Sequence, residues 1–399
     1  MDWVYLDNNA TTQPLPEVAD VVDEATRQLW ANPSSVHRFG QQVRQRIELA
    51  RQSVAELIGG QPRELIFTSG GTESDNLALF GVAPLDKLTL ITTRVEHAAV
   101  REPAERIEKD GGKVAYAKVD RDGVVSIDDL RALLDEHCTP ERTTLVSIQW
   151  ANNETGVIQP INAIAQALQS KREHAAEQGD RLKLLLHLDA TQAVGKLPVD
   201  VTETACDLLT LAAHKFHGPK GVGGLWVRRG VRLKATHLGG AQERERRGGT
   251  ENVSAILGMG VAAKFASAFV NDDPAIDVIR DLRNQLEQGT CKALPTTVIN
   301  SGGAQRLWNT TNLGFPGIEA EAVLLGLSEQ GICASAGAAC SSGSLDPSPA
   351  LLAMGIPEPI AHGSVRFSLS RLTTQADIDR ALEVVPKVVG RLMKTLPTG

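Results

Sequence analysis

No apolar run in the sequence approaches the roughly 20 residues that cross a bilayer. The N-terminus, MDWVYLDNNATT, carries an acid and lacks the basic-then-apolar order of a secretory leader. No membrane association is expected, and the expected location is the cytoplasm. The five cysteines, Cys138, Cys206, Cys291, Cys333 and Cys340, form no CxxC pair and no zinc-like cluster, which argues against a disulfide scaffold and leaves no metal to expect. No long basic patch offsets the net charge of −7, so nucleic acid is not a required partner. Dinucleotide fingerprints and Walker-type loops are missing too, which disfavours a nucleotide-dependent α/β enzyme. Neither an internal repeat nor a low-complexity tail is present.

What remains is a chain of 399 residues, 42% hydrophobic and 22% charged, long enough to bury a large core without staples. Strand-like and helix-like stretches alternate from Glu64 to Leu188, with apolar strand candidates such as Leu88–Thr92, Thr144–Trp150 and Leu184–Leu188. Between them lie helix candidates such as Ala98–Lys109 and Ile161–Gln178. This alternation predicts an α/β fold, a mostly parallel sheet covered by helices on both faces. The charged run Glu243–Arg247 reads as a solvated or interface loop. From Ile279 the alternation weakens, and a smaller α+β domain is expected there. The expected division is 13–256 for the large domain, and 1–12 with 257–399 for the small one.

The stretch Asp207–Val227, DLLTLAAHKFHGPKGVGGLWV, is the centre of the pattern. An apolar strand delivers His214 and Lys215 into a Gly/Pro turn, and a second apolar run follows. A lysine held at the mouth of a core can lose its proton and attack a carbonyl, as a Schiff base with pyridoxal phosphate requires. A salt-bridging lysine in a turn fits the same residues. In Phe67–Leu79, FTSGGTESDNLAL, a strand, Gly70, Gly71 and a helix start follow one another, so that backbone N–H groups and Thr72 can cradle a phosphate. The same residues also make a plain strand-to-helix turn. Strand Leu184–Leu188 delivers Asp189 at its carboxyl end, where ligands collect in open α/β sheets, and Gln192 lies one turn on. A carboxylate there can keep a pyridine nitrogen protonated, or can simply cap the turn. His97 and Asn153 each follow a strand candidate, placed to stack on or hydrogen-bond a planar ring, or to serve as ordinary turn residues. Cys340 lies in the small-residue segment ASAGAACSSGSL, Ala334–Leu345, whose composition favours an exposed and mobile backbone.

Taken together, these segments resemble the NifS/IscS-type cysteine desulfurases, pyridoxal-phosphate enzymes of the aspartate aminotransferase superfold and class-V aminotransferase family. The matching motifs are YLDNNATT at 5–12, NPSSVHRFG at 32–40, FTSGGTESDNLAL at 67–79, Glu96–His97 and NNETG at 152–156. LDATQAVGKL at 188–197, HKFHGPKGVG at 214–223, GGTENV at 248–253, 334–347 and VRFSLSRLTT at 365–374 complete a match over nearly the whole chain. The segment around Cys340 resembles that of the long-loop group, which feeds iron–sulfur cluster scaffolds.

The resemblance implies roles residue by residue. Lys215 would form the covalent bond to pyridoxal 5'-phosphate, Asp189 would pair with its ring nitrogen, and Gln192 with its phenolic oxygen. His97 would stack on the ring and assist proton transfer. Asn153 would orient cofactor or substrate. Gly71, Thr72 and His214 would hold the phosphate, with Thr250 reaching over from the other subunit of a homodimer. Arg366 would take the substrate carboxylate and Cys340 would accept the sulfur of L-cysteine as a persulfide, for delivery to an iron–sulfur scaffold or other acceptor protein. One departure is Ala212, where the family commonly has a phosphate-binding serine, which predicts weaker cofactor retention. The segment 175–184 is longer and more polar than usual. A selenocysteine lyase, an aminotransferase that would leave Cys340 idle, and a non-catalytic scaffold of the same fold are the alternatives.

Overall fold

The computed structural model describes residues 3–336 and 346–395. Cys340, the expected sulfur acceptor, lies outside them. The chain opens with a short strand β1 (Val4–Tyr5) and a polar turn. Helices α1 (Pro16–Gln28) and α2 (Arg38–Leu57) follow, the first started by a proline at its N-terminus. Strand and helix then alternate as the sequence predicts. They run β2 (Leu65–Thr68), α3 (Gly71–Gly81), β3 (Leu88–Thr93), α4 (Ala98–Lys109), β4 (Lys113–Ala117), α5 (Ile127–His137), β5 (Thr143–Gln149), α6 (Ile161–Glu177), β6 (Lys183–Asp189), β7 (Leu208–Ala212) and β8 (Gly223–Val227).

These strands form one seven-stranded sheet in the order β2-β8-β7-β6-β5-β3-β4. All its pairings are parallel except those of β8, which runs against both β2 and β7. The reversal follows from the short connection between β7 and β8, too brief for the helical crossover that a parallel return needs. Central strands β5 and β6 are buried along nearly their whole length, as expected for a sheet covered on both faces.

A hairpin of β9 (Ala241–Gln242) and β10 (Arg247–Gly248) encloses Glu243, Arg244 and Glu245, all left-handed at φ 47°, 58° and 66°. Such residues are costly without glycine. Of the two expectations, a solvated or an interface loop, Glu243 departs from the first: its side chain is buried and accepts from Arg51 Nη1 at 2.6 Å and Nη2 at 2.8 Å.

Helix α7 (Val253–Val270) is the one helix among the described residues long and apolar enough to cross a membrane. This corrects the expectation that no apolar run approaches a membrane-spanning length, although Lys264 interrupts the helix. Residues from Ala255 to Ala266 join α1, α2 and the sheet in the large core. A helix apolar all round is what a buried core position requires. The division expected between 256 and 257 falls inside this helix.

The remaining elements are α8 (Asp273–Ala293), β11 (Val298–Ile299), β12 (Thr310–Gly314), α9 (Ala320–Glu329), β13 (Ile332–Cys333), α10 (Pro349–Ala353), α11 (Glu358–His362), β14 (Ser364–Ser368) and α12 (Gln375–Thr395). Strands β11, β12 and β14 form an antiparallel sheet, and β13 pairs in parallel with β1. Leu6, Phe315, Phe367, Ile378 and Val385 belong to a separate core. The N-terminal segment thus folds with the C-terminal third of the chain, and the Asp7–Ser368 bridge joins it to β14 of the small antiparallel sheet.

Candidate active site

Strand β7 is wholly buried, and the single 3₁₀ turn Ala213–Lys215 that follows it brings Lys215 out at the carboxyl edge of the sheet. Its Nζ donates to Asn9 O at 2.7 Å and Ala10 O at 2.9 Å. The N-terminal turn is fixed there by Thr12, whose backbone N–H and hydroxyl both donate to His214 O, at 2.9 and 3.0 Å. Asn9 Nδ2 reaches Thr310 Oγ1 at 2.9 Å and Asn153 O at 3.1 Å. One turn thus ties the lysine to both cores.

Asp189 ends β6 on the adjacent strand, 2% exposed, and its Oδ1 accepts from Thr191 N at 3.0 Å. Two further carboxyls stand behind it. Burial pushes Glu96 up to about 8, with the Asp189 charge adding to the rise although Thr93 Oγ1 donates to it at 2.6 Å and Gln149 N at 2.7 Å. Burial raises Asp75 well above the carboxylate range, and Asp189 again adds to the effect. The arrangement favours the neutral form of both neighbouring acids. His187 lies on the same strand between Ser147 Oγ at 2.8 Å and Thr210 Oγ1 at 3.0 Å, and burial pushes it down to about 4.

Helix α3 begins at Gly71, against the loop after Asp189: a Cβ on Gly71 would lie 3.0 Å from Thr191 Oγ1 and 3.7 Å from Ala212 Cβ. The N–H groups of its first turn, with Thr72, could hold an anion. His214 is held down to about 3 by burial first and then by Lys215, Lys220 and Lys196, and its Nδ1 is buried without a hydrogen-bond partner among the described residues. His97 caps α4, its Nδ1 accepting from Ala99 N at 3.1 Å. That places the proton of the neutral ring on Nε2. Burial lowers its pKa, and Asp189 and Lys215 act on it in opposite directions. Thr72 and His97 share an open cleft of about 720 Å³ between α3 and α4. Thr250 is exposed beside the hairpin and lines a cleft of about 200 Å³ with Ser69, Gly221 and Arg247.

Arg366 sits on β14, 2% exposed, beside Ser335, with which it exchanges both backbone hydrogen bonds at 2.7 and 3.2 Å. Its Nη1 donates to Asn153 O at 2.9 Å and its Nη2 to Asp7 Oδ1 at 2.6 Å, while its Nε is buried and has no partner among the described residues. Asn153 meets this group through its backbone, since its side-chain Oδ1 accepts from Gln149 Nε2 at 3.1 Å. Gln192 Nε2 donates to Asn9 O at 2.8 Å and its Oε1 accepts from Lys196 Nζ. Downstream of Cys340, Ser348 Oγ donates to Glu154 Oε2 at 2.6 Å.

The fold therefore gathers Lys215, Asp189, Gln192, His97, His214, Gly71 and Thr72 along one sheet edge, with Asn153 and Arg366 over them. Thr250 stands apart on the exposed side of the hairpin. The sequence assigns no role to Asp7, Asn9, Lys196 or Glu96, although all lie inside the quoted motifs. Asp7 and Asn9 meet partners remote in the chain, which no spacing rule exposes, whereas Lys196 and Glu96 meet Gln192 and Thr93 close by but are brought beside the site only by burial. A half-buried imidazole whose Nδ1 has no partner among the described residues, a helix N-terminus and a buried carboxylate fit a phosphate and a ring nitrogen, the two polar ends of pyridoxal phosphate. The described residues contain no His/Cys/Asp/Glu group suited to a metal ion.

Residues 4–381 match the family model described as aminotransferase class-V. The cysteine desulfurase 2 of Trichormus variabilis is 46% identical over 399 residues, covering all of this chain and 96% of that protein. The cysteine desulfurase NifS of Azotobacter vinelandii is 42% identical over 397 residues, 99% of this chain and 94% of its own. A solved NifS-like protein superposes with a TM-score of 0.87 at 35% identity, covering 98% of this chain and all of that one.

Proposed function

The chain belongs to the class-V aminotransferase family and within it is a cysteine desulfurase dependent on pyridoxal 5'-phosphate, and we propose that Cys340 is the residue on which it collects sulfur. The observation that carries the assignment of residues is the convergence of Lys215 and Asp189 at the carboxyl edge of the large sheet with Arg366 of the small sheet, which is joined to Lys215 through Asn153 O and Asn9.

When bound, the cofactor supplies an electron sink that acidifies the α-hydrogen of an amino acid and labilises the bond to its sulfur. Lys215 would carry the covalent link and, once released, hold and move the α-proton at Nζ. Asp189 would face the ring nitrogen. Gln192 would donate to the ring oxygen, and His97 would stack on the ring and relay a proton through Nε2. The α3 N-terminus at Gly71 and Thr72, with His214, would hold the phosphate. Arg366 would take the substrate carboxylate, its Nε having no partner among the described residues, with Asn153 steadying it. The thiolate of Cys340 would attack the substrate sulfur. The S–S bond forms as the Cβ–S bond breaks, Cβ takes up a proton, and the products are L-alanine and a Cys340 persulfide, with no external oxidant.

A homodimer is part of the proposal. Trp30, Val36 and Leu238 are 73, 93 and 82% exposed, and Gln242 Nε2 holds the 30–36 loop to the hairpin near Thr250 through Ser34 Oγ at 2.9 Å. The patch is suited to a second copy that would bring Thr250 to the partner's phosphate site. The division into 13–256 and 1–12 with 257–399 belongs to the same reading, with α7 shared across the boundary. So do a cytoplasmic location and an iron–sulfur scaffold as sulfur acceptor.

The test is turnover of L-cysteine by the cofactor-loaded protein. Equal amounts of alanine and sulfide in the presence of a thiol reductant, both lost in Lys215→Ala, are expected. A keto acid in place of alanine would move the assignment to an aminotransferase.

A further inference from the structure

After β6 the chain turns twice through Ala190–Leu197, where Ala193 O accepts from Lys196 N at 3.0 Å and Leu197 N at 2.9 Å. Gly195, at φ +79°, permits the second turn, and a side chain there would collide with Phe216 Cβ. The turn sends Lys196 inward. It is 4% exposed, its backbone oxygen accepts from Trp308 Nε1 at 2.8 Å, and its Nζ donates to Gln192 Oε1. The strongest charges acting on it are both cations, Lys215 and Arg366, and these add to burial in holding it well below the ordinary lysine range. An uncharged amine in such surroundings still donates a hydrogen bond.

A glutamine amide has an acceptor end and a donor end, and turning it over exchanges them. At Gln192 the donor end meets Asn9 O, the oxygen that also accepts from Lys215 Nζ. When Nε2 donates to a ligand oxygen in place of Asn9 O, that constraint is gone and the contact from Lys196 to Oε1 is left to set the orientation. We propose that Lys196 is a positioning residue, whose donation to Gln192 Oε1 commits the Gln192 amide to presenting N–H donors, and never its oxygen, to the ring oxygen of the cofactor. The inference rests on the assignment of Gln192 to the pyridoxal-phosphate site.

The test compares wild-type protein, Lys196→Met, Gln192→Ala and the double variant. Each is read by the pH midpoint of the visible absorption band of bound pyridoxal phosphate without substrate, and by the dissociation constant of the cofactor from apo-protein. Methionine matches the lysine stem and cannot donate. Loss of a directed donor to the ring oxygen is expected to raise the midpoint by about one pH unit and to weaken cofactor binding. Gln192→Ala should shift it the same way, and adding Lys196→Met to that background should do nothing further. Lys196→Leu gives the same comparison should the methionine variant fail to fold. An unchanged midpoint in both single Lys196 variants would overturn the proposal, and so would a full shift retained in the Gln192→Ala background, which would mean that Lys196 acts by charge or packing alone. Wild-type protein that takes up no pyridoxal phosphate would overturn the proposal together with the site assignment beneath it.

Discussion

Arg366 Nη2 lies 2.6 Å from Asp7 Oδ1, so the proposed carboxylate receptor is already held by a carboxylate from the far end of the chain. The pair aims the guanidinium while Asn153 O engages its other nitrogen. A lysine cannot serve Asp7, Asn153 O and a substrate carboxylate at once. Arg366→Lys is therefore expected to raise KM for L-cysteine by about ten- to a hundredfold, the worth of a charge-assisted hydrogen bond or two, and to leave the cofactor absorption band in place. Steady-state kinetics with a spectrum of each variant check this.

Ala212, at the end of β7, is 1% exposed and its Cβ faces Gly71 at the start of α3. A hydroxyl there would point toward the proposed phosphate cradle. Ala212→Ser is expected to tighten cofactor binding by about fivefold, equivalent to one added neutral hydrogen bond of about 1 kcal/mol. Equilibrium titration of apo-protein with pyridoxal phosphate reads the change directly.

His187 titrates at about 4 in the fold against an ordinary value of 6.5, because burial disfavours its charged form. A depressed folded value contributes stability above the unfolded pKa, and that stability is lost as the pH falls through the folded one. The window is therefore pH 6.5 down to about 4. Glu96, raised to about 8, acts in the opposite sense over part of that range, so the histidine is best isolated by comparison with a variant. His187→Gln, which can still reach Ser147 and Thr210, should show a smaller loss of stability between pH 7 and pH 5 than the wild type, by on the order of 1–2 kcal/mol. Urea unfolding at the two pH values measures it.

Much of this architecture is legible in the chain because local pattern and tertiary position agree. Helix α4 occupies Ala98–Lys109, the residues its sequence marks, and β6 differs from the expected strand by one residue at each end. The same local signals place Asp189 and Lys215 at strand ends. What periodicity hides is partnership. Nothing in YLDNNATT says that Asn9 O will accept from both Lys215 and Gln192, or that Asp7 will hold Arg366, since those contacts span about two hundred residues or more. The reversed strand β8 is equally silent, because an apolar run carries no direction. Glu243 reads as a solvated charge, and only the fold reveals the buried Arg51 opposite it.

The central claim, that sulfur from L-cysteine collects on Cys340, is tested most directly by one turnover without reductant. Holoenzyme is mixed with a stoichiometric amount of L-cysteine, alkylated and digested, and the peptides are weighed and fragmented to place any extra sulfur on one cysteine, while free alanine is counted. One additional sulfur atom on the peptide that carries Cys340, matched by one alanine per chain, is the predicted result. Alanine formed with the extra sulfur on Cys333 or on no cysteine, or a Cys340→Ala variant that yields the same persulfide, would contradict the account.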